Sequence, residues 1–418
     1  HHLVLIMKNM PNPTYDIIIV GAGPAGTSAA LFAKRNGLKP LLLEKSVFPR
    51  DKICGDALSG KSVRLLRELN LLEKTRGLPG AHIKRITFSG PKYQQFDLYL
   101  KGDSEGKNDE GFSIRREIFD EMMFRSVQDA DIDTLEGFNV KSVNQENGFV
   151  TGVTGIQKES NEEFTFSSKI LLGADGYNSI VSKELDLYDM DMEHTSVGIR
   201  CYYENVKDLT DQIELHYVPE LNPGYLWIFP SDGNRANIGV GLSKDDAKQK
   251  KINLVNVMEG ILSKPPFAER FSEAKPLEKA KGWNLPLGSI HRKNYGNGFM
   301  LLGDAAGIID PFTGEGIGNA LVSGKIAAEI AKQALSVDDN SSNILKAYDT
   351  RLWKELGSEL KVSTKLQNLA KSKFLLNFVI GRASRNQDIR EIISGMLSNE
   401  IPKEKLNNPF FYLKILFY

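Results

Sequence analysis

The sequence predicts an α/β fold: one unit of parallel strands and helices, interrupted by a mixed β-sheet, with a helical C-terminal region. Three observations predict it. A glycine-rich turn joins a strand to a helix near the start, in "YDIIIVGAGPAGTSAALFAKRNGLKPLLLEK". Two more strand-then-glycine turns stand far downstream, after Ile170 and after Phe299. Between these blocks lie alternating apolar runs without such turns, which read as ordinary strands.

The first block carries the clearest chemistry. Ile17 to Val20 is all apolar and β-branched, as a strand buried on both faces requires. The turn Gly21-Ala22-Gly23-Pro24-Ala25-Gly26 follows, then a small-residue helix from Thr27 to Asn36, ended by Gly37. Pro40 to Glu44 reads as the next strand. This is strand-turn-helix-strand with G-x-G-x-x-G at the turn, a Rossmann-like dinucleotide site. Gly21 allows the tight turn, Gly23 lets the backbone approach a pyrophosphate, and Gly26 lets helix and strand pack. The helix N-terminus, opening on Pro24 and Ala25, offers free N–H groups to phosphate. Glu44, with Lys45 beside it, stands where a carboxylate can accept from ribose hydroxyls.

The second block is the strand Ile170–Leu172, then Gly173-Ala174-Asp175-Gly176 and Ser179. The third is Phe299–Leu302, then Gly303-Asp304-Ala305-Ala306-Gly307, with Pro311, Gly314, Glu315, Gly316 and Ile317 leading into a helix through Ala320–Ala334. It aims a second glycine-rich turn and helix N-terminus at something anionic. Taken singly, Asp175 and Asp304 also fit a plain helix cap or turn.

Composition narrows the class. At 418 residues the chain can bury a large core. Lys plus Arg equals Asp plus Glu at 53 each, which gives no global reason to expect a nucleic-acid partner. Cys54 and Cys201 are the only cysteines and lie far apart, so neither a disulfide framework nor a metal site is expected, and a reducing, cytoplasmic compartment fits. No apolar run is long enough to span a bilayer. The opening "HHLVLIMKNM" reads as a tag or leader.

Together the three blocks resemble the flavoprotein family that includes aromatic hydroxylases, flavin-dependent halogenases and geranylgeranyl reductases, over residues 15–335. The resemblance implies a Rossmann-like FAD-binding domain built from residues 14–75, 110–180 and 296–335. It implies a mixed β-sheet substrate-binding domain from 76–109 and 181–295, with a helical region from 336 to 418 and residues 1–13 as leader. Asp304, framed by Gly303 and Pro311, would bond a ribitol hydroxyl of FAD, and the Gly314–Ile317 turn would present N–H groups to the N1/O2 end of the ring. Asp175 would support this shell or touch a pyridine nucleotide. "RREIFD" matches the family's Arg-x-x-Phe-Asp pattern, so Arg116 would clamp the FAD phosphate or the flavin side.

"FPRDKICGDALSG" returns Arg50, Lys52, Cys54 and Gly55 toward the cofactor. Its Lys-x-Cys-Gly core resembles the segment that geranylgeranyl reductases place beside the isoalloxazine. Cys54 then tunes the ring or supplies a proton, and Gly55 permits close approach. Asp56 is a weaker carry-over. "GYLWIFP" carries Tyr225, Trp227 and Phe229 at strand period, on one face, before Pro230. With the turn "SDGN" and Gly239-Val240-Gly241 it resembles a geranylgeranyl reductase signature that borders the isoprenoid cavity, and it departs from the halogenase pattern at Tyr225 and Phe229. Leu226 and Ile228 make the other face apolar too, so plain core is the competing reading.

The resulting expectation is an FAD-dependent reductase that saturates C=C bonds of a geranylgeranyl-type lipid or diphosphate, a hydrophobic isoprenoid. The alternatives are an FAD monooxygenase, hydroxylase before halogenase, or a quinone-linked electron-transfer flavoprotein. There is no second G-x-G-x-x-G unit, so NAD(P)H would bind transiently or a small redox protein would deliver electrons. The chain is expected as a monomer or dimer. "KGDSEGKNDEG" (101–111) reads as an exposed loop, and the apolar tail "NPFFYLKILFY" either caps the core or touches the inner face of a membrane.

Overall fold

The computed structural model describes residues 14–100 and 110–397. The leader, nearly all of the 101–111 loop and the apolar tail therefore lie outside the described residues.

Five strands form the parallel heart of the first sheet. In spatial order they are Phe299–Leu301, Glu162–Gly173, Thr14–Val20, Pro40–Glu44 and Asp133–Glu136. Ile17–Ile19 and Ile170–Leu172 are fully buried, as strands covered on both faces must be. The helix Pro24–Arg35 crosses one face and meets the long helix Ile317–Ser336, where the Ser28 hydroxyl donates to the Leu321 carbonyl at 2.8 Å. Glu162–Gly173 is longer than its neighbours and does two jobs. Its second half pairs with Thr14–Val20, while its first half closes an antiparallel meander with Phe149–Gln157 and Phe138–Glu146.

The second sheet is mostly antiparallel. Its order is Lys275–Pro276, Thr195–Glu204, Arg235–Ser243, Tyr225–Pro230, Gln212–His216, Arg85–Ser89 and Gln95–Tyr99, with Lys281–Pro286 also paired to Thr195–Glu204. One junction is parallel: Gln212–His216 runs alongside Arg85–Ser89. A small third sheet joins Ala57–Leu58, Gly111–Ser113 and Ala81–Ile83. Among the described residues after 336 the chain forms the helices Ser342–Ala370, Lys373–Ala383 and Gln387–Leu397. The architecture is the α/β class read from the sequence: a Rossmann-like sheet, a mixed sheet and C-terminal helices.

Candidate functional site

The glycine-rich turn folds as its residues require. Gly21 sits at φ +101°, and a Cβ there would run into the Ala174 carbonyl oxygen. So the second glycine block braces the first. A Cβ at Gly26 would meet the Gly21 carbonyl. Beside Gly23, by contrast, the nearest atom to an added Cβ is Arg50 Nη2 at 4.0 Å. Gly23 is the N-cap of helix Pro24–Arg35 and makes no side-chain cap, so its first-turn N–H groups face open space next to a guanidinium. Glu44 accepts from Ala22 N at 2.8 Å and Ser46 N at 2.9 Å, which fixes the strand end to the turn. Lys45 is exposed, and its carbonyl accepts from the Lys158 ammonium at 2.5 Å.

Asp304 lies 3.8 Å from Lys52 Nζ, on the short helical turn Gly303–Ala306. Gly316 caps the helix Ile317–Ser336 without a side-chain bond, and Pro311 and Ile317 are buried at either end of the turn. Two uncapped helix N-termini, a basic segment and an acid at a strand end fit an anionic dinucleotide such as FAD. Asp175 has a different employment. It accepts from Ser179 Oγ (2.6 Å), Ile180 N (2.7 Å) and Val181 N (3.2 Å), so it caps a short helix. Arg116 is also engaged: it makes a two-pronged pair with Asp120 at 2.6 and 2.7 Å, and Arg50 joins the same carboxylate at 2.6 Å. Burial pushes the Asp120 carboxyl up, but the two guanidiniums hold it below the usual carboxylate range.

The aromatic strand resolves as the period of two demands. Leu226 and Ile228 are fully buried in the core of the second sheet, while Tyr225, Trp227 and Phe229 face a cavity of ≈ 1060 Å³. Pro230 follows the same alternation onto the Leu226 side, so it closes the strand rather than lining the cavity. The Trp227 indole lies over its cross-strand partner Gly239, where any Cβ would collide with the ring. This is the physical reason for the glycine motif that follows the turn. Phe229 presses on Gly55, where an added Cβ would stand 2.9 Å from its ring. The Tyr225 hydroxyl donates to the Thr313 carbonyl at 2.7 Å. One strand thus touches both the Cys54–Gly55 segment and the Gly314–Ile317 turn.

Sequence reasoning missed the rest of the wall. Phe312 stacks on Tyr217 at 5.7 Å and on Phe88 at 6.4 Å. These three come from separate parts of the chain, and only Phe312 carried a local signal, next to Pro311. It also missed a buried polar string. Trp227 Nε1 donates to Asn237 Oδ1 (2.9 Å), and Asn237 Nδ2 donates to the Cys54 carbonyl (2.7 Å) and to Asp56 Oδ2 (2.8 Å). Tyr202 donates to the same Asp56 oxygen at 2.5 Å. Burial pushes the Asp56 carboxyl up to about 6, against the pull of these bonds and of Arg200 and Arg116. At the cavity's rim Lys61 pairs with Glu359 (2.6 Å) and Glu315 (3.5 Å), and Ser59 also bonds Glu315.

Known proteins resemble this chain over most of its length. Residues 14–350 match the family model described as an FAD binding domain. A digeranylgeranylglycerophospholipid reductase from Methanococcus vannielii is 30% identical over 94% of this chain and 95% of its own. One from Methanopyrus kandleri is 32% identical over 82% and 86%. Among solved structures, a geranylgeranyl bacteriochlorophyll reductase-like protein from Thermoplasma acidophilum superposes with a TM-score of 0.80 at 24% identity, over 94% of this chain and 99% of that one. A flavin-dependent brominase reaches 0.78 at 20% identity, over 96% and 99%. At those identities the structural likeness speaks for the fold.

Proposed function

Since this chain belongs to the FAD-binding flavoprotein family of the digeranylgeranylglycerophospholipid reductases, we propose that it saturates C=C bonds of a polyprenyl lipid or diphosphate. Bound FAD supplies the two-electron hydride chemistry. The chain's own residues do the rest. Gly21, Gly23, Gly26 and the Pro24–Ala25 helix start would hold the pyrophosphate, with Arg50 beside it, and Glu44, next to Lys45, would accept from the ribose hydroxyls. Asp304 and the Gly303, Pro311 and Gly314–Ile317 region hold the ribitol and ring. Arg116 and Asp175 act one step back, bracing Asp120 and the Ala174 turn. Cys54 and Gly55 form the floor where ring and substrate meet.

The observation that carries the reading is the aromatic-walled cavity ending on that floor. Its volume of ≈ 1060 Å³ is at the upper end of small-molecule sites. A C20 chain needs shape rather than polar contacts, because each buried methylene gains about 0.8 kcal/mol. The gross gain is on the order of 10 kcal/mol before ordering costs. Aromatic faces also favour any positive charge that develops on the alkene. In this reading the first sheet and its helices serve the cofactor, and the second sheet serves the substrate. NAD(P)H or a small redox protein supplies electrons. Phe374, 76% exposed and stacked on Phe378, supports peripheral contact with a membrane.

The test reduces the flavoprotein without oxygen and adds geranylgeranyl diphosphate or its glycerolipid. Flavin reoxidation with two mass units gained per bond is expected. Oxygen incorporated into a product after air is admitted would replace this reading with the hydroxylase.

A further inference from the structure

The helix Lys373–Ala383 turns two different faces to its surroundings. Leu376 and Ile380, four residues apart, are buried in one cluster with Phe88, Phe96 and Leu98 of the second sheet. An added Cβ at Gly90 would stand 3.2 Å from Ile380, so this contact is close. Phe374 and Phe378, also four apart, stack on each other at 6.5 Å, and Phe374 is open to solvent. The Arg382 guanidinium lies 5.1 Å from the centre of the Phe378 ring. The turn before strand Gln95–Tyr99 comes alongside. Lys92 N donates to Asn377 Oδ1 at 3.1 Å, and both Lys92 and Tyr93 are exposed.

The charge around these rings is one-sided. Lys361, Lys365, Lys371, Lys373, Arg382 and Arg385 are the only charged residues from 361 to 385, in a chain whose acids and bases balance at 53 each. The nearest acids in sequence are Glu359, which is engaged with Lys61, and Asp388. An aromatic side flanked by lysine and arginine is the pattern of a helix that lies in the interface of an anionic bilayer.

This surface is continuous with the cavity. Lys371 is exposed and also lines the cavity, with Gln367, Ala370 and Ser394. The cavity therefore reaches the outside at the junction of helices Ser342–Ala370 and Lys373–Ala383. Asn222 Nδ2 holds that junction by donating to the Ala370 carbonyl at 2.8 Å. Phe374 stands three residues beyond Lys371, at most about 11 Å along the chain. We infer that the helix Lys373–Ala383, with the Lys92–Tyr93 turn, docks on an anionic lipid surface and sets the cavity mouth at Lys371 against it. Substrate then passes from bilayer to cavity without crossing water. The inference deepens the reductase reading and rests on it for the cargo. Each methylene lowers a prenyl chain's free aqueous concentration roughly fourfold, so a C20 lipid is drawn from a membrane rather than from solution. The basic residues meet the headgroups, and Phe374 and Phe378 enter below them.

The test floats the intact FAD-loaded protein with vesicles of phosphatidylcholine, alone or with phosphatidylglycerol as about a third of the lipid. Binding is expected on the anionic vesicles and should weaken as salt is raised. Phe374→Ser should weaken it roughly tenfold, and Lys373→Glu by a similar factor. Both side chains are exposed, so melting temperature and bound-flavin spectrum should stay at wild type. Lys141→Glu makes the same charge change on the exposed side of strand Phe138–Glu146 and should leave binding unchanged. Reduction of a prenyl lipid embedded in anionic vesicles should slow in both helix variants, while reduction of the same lipid in detergent micelles should not. Wild-type binding by both variants, or no preference for anionic vesicles, overturns the inference. If the variants instead shift the sedimentation of the free protein, the face joins two copies of the chain and the inference is likewise overturned. Flotation needs no turnover, so the two readings fail separately. Docking without reduction of any prenyl lipid removes the reductase reading and leaves the surface; reduction without docking does the reverse.

Discussion

Two glycines of one turn should respond to the same substitution in opposite ways. Gly21→Ala forces a Cβ against the Ala174 carbonyl at a backbone angle that alanine resists, and the protein should lose folded yield. Gly23→Ala meets only open space and Arg50, so its melting temperature should stay near wild type. Its FAD affinity should fall by roughly tenfold or more, about 1.4 kcal/mol, because the methyl occupies the place of the pyrophosphate. Equilibrium dialysis and a thermal melt on both variants check this. Gly55→Ala lies between the two cases. Its methyl would sit 2.9 Å from the Phe229 ring. Destabilisation of about 1–3 kcal/mol is expected, together with slower prenyl turnover as the floor and wall part.

At the scale of elements, the parallel junction of Gln212–His216 with Arg85–Ser89 is held by a buried ionic string. Arg270 meets Glu214 through both Nη atoms at 2.8 Å, His216 Nε2 bonds the same carboxylate at 2.8 Å, and Ser89 bonds His216 Nδ1 at 2.9 Å. Burial pushes Glu214 up, but His216 and Arg270 outweigh it and bring it down to about 2 from 4.5. A depressed carboxyl stabilises the fold above its unfolded value, and that contribution drains away as pH falls from 4.5 through about 2. Glu214→Gln should flatten that part of the acid-unfolding curve. Arg270→Ala should cost roughly 3 kcal/mol in urea, by leaving a buried charge short of its partner.

The same junction shows where legibility ended. The strand-turn-helix elements around Gly21 and Gly303, and the split of Tyr225–Phe229 into two faces, were readable because each rests on spacing within one stretch. The parallel pairing of residues near 87 with residues near 214 has no local signature. Nor does the meeting of Tyr202 and Asn237 on Asp56. Arg116 and Asp120 were a partial case. Their i,i+4 spacing places them on one helix face, yet only the fold shows that Arg50 shares that carboxylate and leaves Arg116 little freedom to reach a phosphate.

Across the whole molecule, cofactor and stability should be linked. FAD at a hundredfold excess over its Kd should add about 2.7 kcal/mol. Removing it should lower the melting temperature of the parallel-sheet half more than that of the mixed sheet, as hydrogen exchange can resolve by region. The packing of helix Pro24–Arg35 on helix Ile317–Ser336 carries a consequence for synthesis. Residues of helix Pro24–Arg35 wait for a partner that leaves the ribosome only after the whole stretch between the two helices has been made. Truncated nascent chains ending before that helix should be unable to capture flavin, and should need a chaperone's shelter for the exposed faces of Ala29 and Ala33. Loading of the prosthetic group should thus wait until that helix has been made. Expression under flavin starvation should yield completed, flavin-free chains that accept FAD afterwards.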